Sequence, residues 1–306
     1  MRLVFAGTPD AAVPSLRRLA ASAHDVVAVV TRRDAPFGRR RALTPSPVAG
    51  VAEELGIPVI KTDRLDADAT AQVQALQPDL GVIVAYGGLV REPLLSTPVH
   101  GWINLHFSLL PAWRGAAPVQ RALMAGDEVT GASVFQLVPE LDAGDVFAEQ
   151  PYRVPEGATA ADVLSDLAVS GAELLSSVID GIADGSAFAV PQAGEPTYAA
   201  KLTAEDGRVR WDDDARAVLA RVRGVTPEPG AHTNVDGARV KILAVAAAPA
   251  DAPVLAPGAI AFIDRRVLVG TASVPVVLET VQPAGKGPMA AGDWWRGLRT
   301  ENPVAA

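Results

Sequence analysis

"RLVFAGTPDAAVPSLRRLAASAHDVVAVVT", Arg2 to Thr31, reads as a strand, a helix and a second strand in succession. "RLVFAG" is a run of strand formers that ends where Gly7, Thr8 and Pro9 break the pattern. "DAAVPSLRRLAAS" reads as a helix, and "DVVAVVT" has the unbroken apolar character of a strand covered on both faces. The same alternation continues outward. "SPVAGVAEELG" is a helix opened by Ser46 and Pro47 and closed by Gly56, "IPVIK" a short strand, and "ADATAQVQALQ" a helix. "DLGVIVAYG" and "GWINLHF" are further strands. Strands alternating with helices predict an α/β fold, a doubly wound and mostly parallel sheet.

A different pattern follows. From Ala158 to Gly185, Val163, Leu164, Leu167, Leu174, Leu175, Val178, Ile179 and Ile182 recur at helical spacing, which predicts a long amphipathic helix closing the first domain. "SAFAVPQAGEPTYAAKLTAED" then loses its periodicity and reads as a linker. Beyond it lie a helix, "DDDARAVLARVRG", and the short strands "AHTNV", "ARVKILAVAA", "GAIAFI", "RVLVGT" and "VPVVLETV". These predict a C-terminal small β-barrel (OB-like) domain. The expected division is a first domain at 1–187, a linker at 188–206 and the barrel at 207–306.

At 306 residues, 49% hydrophobic and 20% charged, the chain can bury a core in each domain. It has no cysteine, which excludes disulfides, thiolate metal sites and a cysteine nucleophile. The apolar run at the N-terminus is too short for a signal peptide, and no run reaches the length of a membrane span. A soluble, cytoplasmic protein is expected, with monomer as the default.

The net charge of −8 argues against non-specific binding to nucleic acid or anionic membrane. One segment runs against that balance. "TRRDAPFGRRRALTPSP" carries Arg32, Arg33, Arg39, Arg40 and Arg41 against Asp34, five charges against one. Its prolines and Gly38 make it a loop. A charge run is usually a solvated surface, yet a polyanion such as nucleic acid would relieve this repulsion.

The first βα turn, "AGTPD", lacks GxGxxG, and neither GxxxxGK[ST] nor GxSxG occurs. Dinucleotide, P-loop and serine-hydrolase chemistries therefore find no support. "NLHFSLLPAWRGAAPVQ", Asn104 to Gln120, places an amide and an imidazole two residues apart at the end of a strand, on one face. Asp142, in "VPELDAGDVF", is the acid that completes a set. A carboxylate there is placed to accept a hydrogen bond from His106, fixing its tautomer. Asn104 is placed to donate to an oxygen that becomes anionic as a carbonyl is attacked. The competing reading is a buried strand whose histidine only satisfies its neighbours. His24, His100, His106 and His232 are scattered without metal-ligand spacing, so no metal is expected.

"NLHFSLLPAWRGAAPVQRAL" followed by "LDAGDVF" resembles the signature of the folate-dependent formyltransferases. The likeness extends through "VFAGTPDAAVPSL", "VIVAYG", "YAAKLTAEDGRVRW" and "VQPAGKGPM", covering nearly the whole chain. It implies a Rossmann-like catalytic domain with Asn104, His106 and Asp142 as the catalytic set. Ser108, Leu109, Leu110 and Pro111 would help hold the folate. It further implies 10-formyltetrahydrofolate as formyl donor and the α-amino group of initiator methionyl-tRNA as acceptor, with Arg39, Arg40 and Arg41 contacting the tRNA. Arg208, Lys241 and Lys286 are weaker candidates on the barrel. Phe107, where the family pattern has small residues, and the pair Gly87 and Gly88 depart from it. Formyl transfer to a small amine, hydrolysis of the formyl donor, and an inactive nucleic-acid-binding scaffold are the competing functions.

Overall fold

The computed structural model describes residues 1–37, 41–300 and 302–306. The chain divides into two compact units, Met1–Pro118 with Val129–Arg153 and Leu164–Ala199, and Val119–Glu128 with Val154–Val163 and Ala200–Ala306.

In the first unit, β1 (Arg2–Gly7), α1 (Val13–Ala20) and β2 (Asp25–Thr31) form the expected strand, helix and strand. Two short strands, β3 (Ala35–Phe37) and β4 (Ala42–Thr44), pair antiparallel within the basic loop. Next come α2 (Pro47–Glu54), β5 (Val59–Lys61), α3 (Ala67–Ala75), β6 (Leu80–Val84) and β7 (Trp102–His106). The helix starts obey capping chemistry. Ser46 accepts the Ala49 N–H ahead of Pro47, and Asp66 accepts the Ala69 N–H.

The sequence reading also passed over β8 (Arg114–Gly115), α4 (Pro118–Ala125) and β10 (Val146–Arg153), which pairs with β9 (Val129–Gln136). The seven-stranded sheet runs β10-β9-β7-β6-β1-β2-β5. Pairings from β7 to β5 are parallel, and β9 lies antiparallel to both neighbours. The chain builds outward from β1 to β5 and then returns to β6 on the other side, so the direction of winding reverses between β1 and β6. Ligands of open α/β sheets bind at such a point, beyond the carboxyl ends of the strands.

The long helix is α5 (Ala160–Asp184), whose Leu167, Leu175 and Ile179 are fully buried. Gly171 lets it lie against Leu105 of β7, since a Cβ there would come 3.1 Å from the leucine. A short strand, β11 (Tyr198–Ala199), pairs parallel with β8. The segment read as a linker is thus partly built into the first unit.

The second unit holds α6 (Ala215–Gly224), β12 (His232–Val235), β13 (Ala238–Ala247), β14 (Ile260–Ile263), β15 (Arg266–Val269), β16 (Val276–Pro283), β17 (Met289–Ala290) and α7 (Ala291–Arg296). Its strands pair antiparallel in the order β12-β13-β16-β15-β14, with β17 beside β16. Val304 and Ala305 then bridge the two edges, pairing with Ala259 and Val235. That bridge closes the barrel and removes its exposed edges.

Candidate active site

β7 delivers Asn104 and His106 to the carboxyl end of the sheet, paired in register with Phe135 and Ser133 of β9. The period of two puts both on one face. Asn104 is half-buried, and among the described residues its carboxamide has no hydrogen-bond partner. A free amide beside a buried imidazole is a donor in reserve.

The chain then folds into a tight turn. Ser108 Oγ donates to Ala112 O at 2.6 Å, and the Ala112 N–H reaches Leu109 O at 3.0 Å. Ser133 Oγ accepts the Leu110 N–H at 3.1 Å and donates to Ser108 O at 2.7 Å. This turn brings the Trp113 carbonyl to 2.9 Å from His106 Nε2. A carbonyl only accepts, so Nε2 carries a proton and Nδ1 is the atom that titrates.

Nδ1 faces Asp142 Oδ2 at 3.9 Å, an ion-pair distance too long for a hydrogen bond. The expected hydrogen bond is therefore replaced. Trp113 sets the tautomer, and Asp142 acts on the ring by charge. His106 is 6% exposed, with the ring of Phe135 edge-on to it at 6.4 Å. Burial pushes the imidazole below the ordinary histidine value, while the Asp142 carboxylate and the Trp113 carbonyl pull it back. At neutral pH the ring rests uncharged with its lone pair toward the carboxylate. A proton arriving at Nδ1 meets a compensating charge worth a few kcal/mol at an effective dielectric of about 20.

Asp142 holds a left-handed backbone conformation, φ 46°. Its Oδ2 accepts the Gly115 N–H at 2.7 Å. Close approaches fix both ends of this contact. A Cβ on Gly144 would lie 1.8 Å from Gln136 O, and one on Gly115, at φ 124°, would lie 2.7 Å from Ala199 O.

Of the residues expected at the folate wall, Ser108 and Leu110 are buried, and Leu109 and Pro111 are half-buried. The Ser108 hydroxyl is committed to Ala112, so it shapes the turn. Leu109 packs over Gly131, where a Cβ would come within 2.5 Å of it. At the reversal point, Leu89 stands 66% exposed in the loop after β6. An apolar side chain and the turn residues suit a flat, partly apolar ring.

Arg39 and Arg40 lie outside the described residues, and Arg41 is exposed at φ 48°. The basic loop follows β2, which β1 and β6 separate from β7 in the sheet. Asp34, the loop's acid, pairs with Lys61 at 2.9 Å. Among the described residues Arg32, Arg33 and Arg41 form no ion pair. In the second unit Arg208 and Lys241 are exposed on the barrel side, as is Lys286. No helix among the described residues is long and apolar enough to cross a membrane, and none of their acidic and histidine side chains cluster as a metal site.

The sequence reading missed Trp113, Gly115, Ser133 and Gln192. The first two act through backbone atoms, which carry no residue signature.

Residues 1–179 match the family described as formyl transferase, and residues 201–299 match the formyl transferase C-terminal domain. The chain is 64% identical over 305 residues to the methionyl-tRNA formyltransferase of Clavibacter sepedonicus, covering 100% of both. It is 60% identical over 301 residues to that of Leifsonia xyli subsp. xyli, covering 98% of this chain and 99% of the relative. The fold is shared with WlaRD, a sugar 3N-formyl transferase solved with dTDP and 5-N-formyl-THF. That match has a TM-score of 0.70 at 13% identity and covers 94% of this chain and 99% of the other. Two domains matched in order and full-length identity above half place the chain in the formyl transferase family, among the methionyl-tRNA formyltransferases.

Proposed function

We propose that this chain transfers the formyl group of 10-formyltetrahydrofolate to the α-amino group of methionine carried on initiator tRNA. The observation that carries the reading is the full-length, 64% identity to a methionyl-tRNA formyltransferase. The site geometry supplies chemistry that fits it.

The donor brings a formyl carbon held on nitrogen as an amide, and Ser108, Leu109, Leu110 and Pro111 form the wall that holds it. Asn104 donates its free N–H to the formyl oxygen as negative charge gathers there. As the amine nitrogen bonds the formyl carbon, His106 accepts at Nδ1 the proton that the amine releases. It returns that proton to the folate nitrogen as the nitrogen–formyl bond breaks, so tetrahydrofolate leaves neutral and the ring ends as it began. An α-amino group has a reference pKa near 7.7–8.0, so a fraction is already neutral at cellular pH and the base need only take the proton freed on attack. Asp142 stabilises the resulting imidazolium across 3.9 Å.

Arg39, Arg40 and Arg41 meet the tRNA phosphates. Arg32, Arg33 and Arg41 of the same loop, which form no ion pair among the described residues, support that role, since a polyanion relieves the repulsion of like charges. The division into a catalytic domain at 1–187, a linker at 188–206 and a tRNA-binding barrel at 207–306 belongs to the same reading, as do a monomeric state and a cytoplasmic location. The test is transfer of labelled formyl from 10-formyltetrahydrofolate to methionyl initiator tRNA, with uncharged tRNA, free methionine and an amino sugar as controls. Label in charged tRNA alone is the expected result. Label in the amino sugar alone would replace this reading with a small-amine acceptor.

A further inference from the structure

We infer that Gln192 is a positioning residue for the formyl transfer, holding Asp142 at its working place opposite His106 through a brace shared with Arg114. The inference rests on the reading of His106 and Asp142 as a base and its charge partner.

Gln192 lies in the segment whose sequence reads as linker, yet its side chain is half-buried against the site. Its Nε2 donates to Asp142 O at 2.8 Å and to Gly144 O at 2.9 Å. Its Oε1 accepts from Arg114 Nε at 3.1 Å and from the same guanidinium's terminal nitrogen at 2.5 Å. Every strong donor and acceptor direction of the amide is thus used. The orientation is unambiguous, because a flipped amide would set oxygen against two carbonyls and NH2 against a guanidinium.

Arg114 closes the brace. The next residue on its strand, Gly115, donates its N–H to Asp142 Oδ2. One side chain therefore grips the main chain of Asp142, the neighbouring peptide grips its carboxylate, and Arg114 links the two grips. Asp142 needs this hold. Its φ of 46° is a conformation that residues other than glycine leave when they are free to. The loop offers little packing of its own, as Glu140 and Leu141 are exposed.

Position matters because Asp142 reaches His106 through space rather than through a hydrogen bond. Such an interaction changes with every shift of the carboxylate. Gln192 touches neither His106 nor the reacting atoms, so its effect passes through Asp142.

The experiment compares wild type, Gln192→Ala, Asp142→Asn and the double variant by kcat, by KM for 10-formyltetrahydrofolate, by the pH profile of kcat and by thermal midpoint. His106 is also titrated by NMR in the free proteins, its signal assigned by its absence in His106→Gln. For Gln192→Ala the expectation is a fall in kcat of about tenfold, as for a remote change that misplaces a reacting group. KM for the donor stays level, the acid limb moves to lower pH, and the His106 titration moves the same way, since the carboxylate that pulls it up has drifted. Adding Gln192→Ala to Asp142→Asn changes kcat less than about twofold, as coupled positions do. Wild-type kcat and an unmoved His106 titration in Gln192→Ala, with Asp142→Asn crippled, would overturn the brace. An undiminished loss in the double variant would also overturn it, by showing that Gln192 acts elsewhere. Full activity in Asp142→Asn would instead overturn the reading of Asp142 beneath it. If Gln192→Ala does not fold, Arg114→Lys, which keeps the charge and loses the two-pronged grip, is put through the same comparison.

Discussion

His106 and Asp142 face each other across 3.9 Å without sharing a hydrogen, because the one proton that the neutral ring carries is engaged by the Trp113 carbonyl at 2.9 Å. The ring is thereby left as an uncharged base, since burial disfavours its conjugate acid and the Asp142 charge only partly offsets that cost. Removing either partner should cripple turnover. His106→Ala and Asp142→Ala are each expected to lower kcat by roughly 10²–10⁴, the range of general acid–base contributions, with the protein still folded. Single-turnover formyl transfer and a urea unfolding curve measure the two quantities. A small loss of activity with a large loss of stability would return His106 to the status of a buried structural residue.

The acidity of His106 predicts a pH dependence with a definite sign. Burial lowers the imidazole, so between the folded value and the unfolded value of about 6.5 the unfolded chain binds more protons. Its contribution to stability is complete above about 6.5 and is lost as pH falls through the folded value. Turnover falls lower, as pH passes through the folded value and the base in the native protein becomes protonated. Unfolding of wild type and His106→Gln, each at pH 5 and pH 7.5, should show an acid-dependent loss in wild type that the variant lacks.

Asn104 should separate catalysis from stability. Its carboxamide has no side-chain partner among the described residues, so Asn104→Ala is expected to change stability by less than about 0.5 kcal/mol. The same change should lower kcat by about 10²–10³, as loss of an oxyanion donor does. Asn104→Asp, which puts negative charge beside the developing oxyanion, should be slower still. Steady-state kinetics and a thermal melt decide the matter.

The basic loop should act on one substrate only. Arg39→Ala, Arg40→Ala and Arg41→Ala are expected to weaken use of tRNA while leaving the KM for the formyl donor unchanged. Each phosphate contact removed should flatten the dependence of log K on log salt by about one unit. Equal losses toward both substrates would place these arginines in the fold instead.

In the second unit, Arg121 on α4 donates to Asp206 Oδ1 at 2.8 Å and to Ala200 O at 3.1 Å. Burial opposes ionisation of Asp206, but bonds from the Thr203 N–H, Arg121 and the Thr203 hydroxyl outweigh it and hold the carboxyl below the usual range. Arg121→Ala should cost about 1–3 kcal/mol, because it strands a partly buried acceptor. The carboxylate's contribution is present above its unfolded value of about 3.9 and is lost as pH falls through the folded value. Urea unfolding of Arg121→Ala at pH 7 and pH 3 should show the deficit at pH 7 and its shrinkage at pH 3.

By itself the sequence determined what repeats locally. The strand, helix and strand of Arg2–Thr31, the long helix carrying Leu167, Leu175 and Ile179, and the common face of Asn104 and His106 all follow from periods set by backbone sterics. Asp142 is suggested as the third member by its setting in "VPELDAGDVF", and the resemblance implies the same set. Tertiary structure alone decided how the set is held. Trp113 O and Gly115 N are backbone atoms that any residue would offer, and only the closed turn and the β8–β11 pairing aim them at His106 and Asp142. Gln192 sits in a stretch without periodicity, and its partners Arg114, Asp142 and Gly144 are distant in sequence. Side-chain period is a property of neighbouring residues, whereas a hydrogen bond between remote groups exists only once the chain has closed around it.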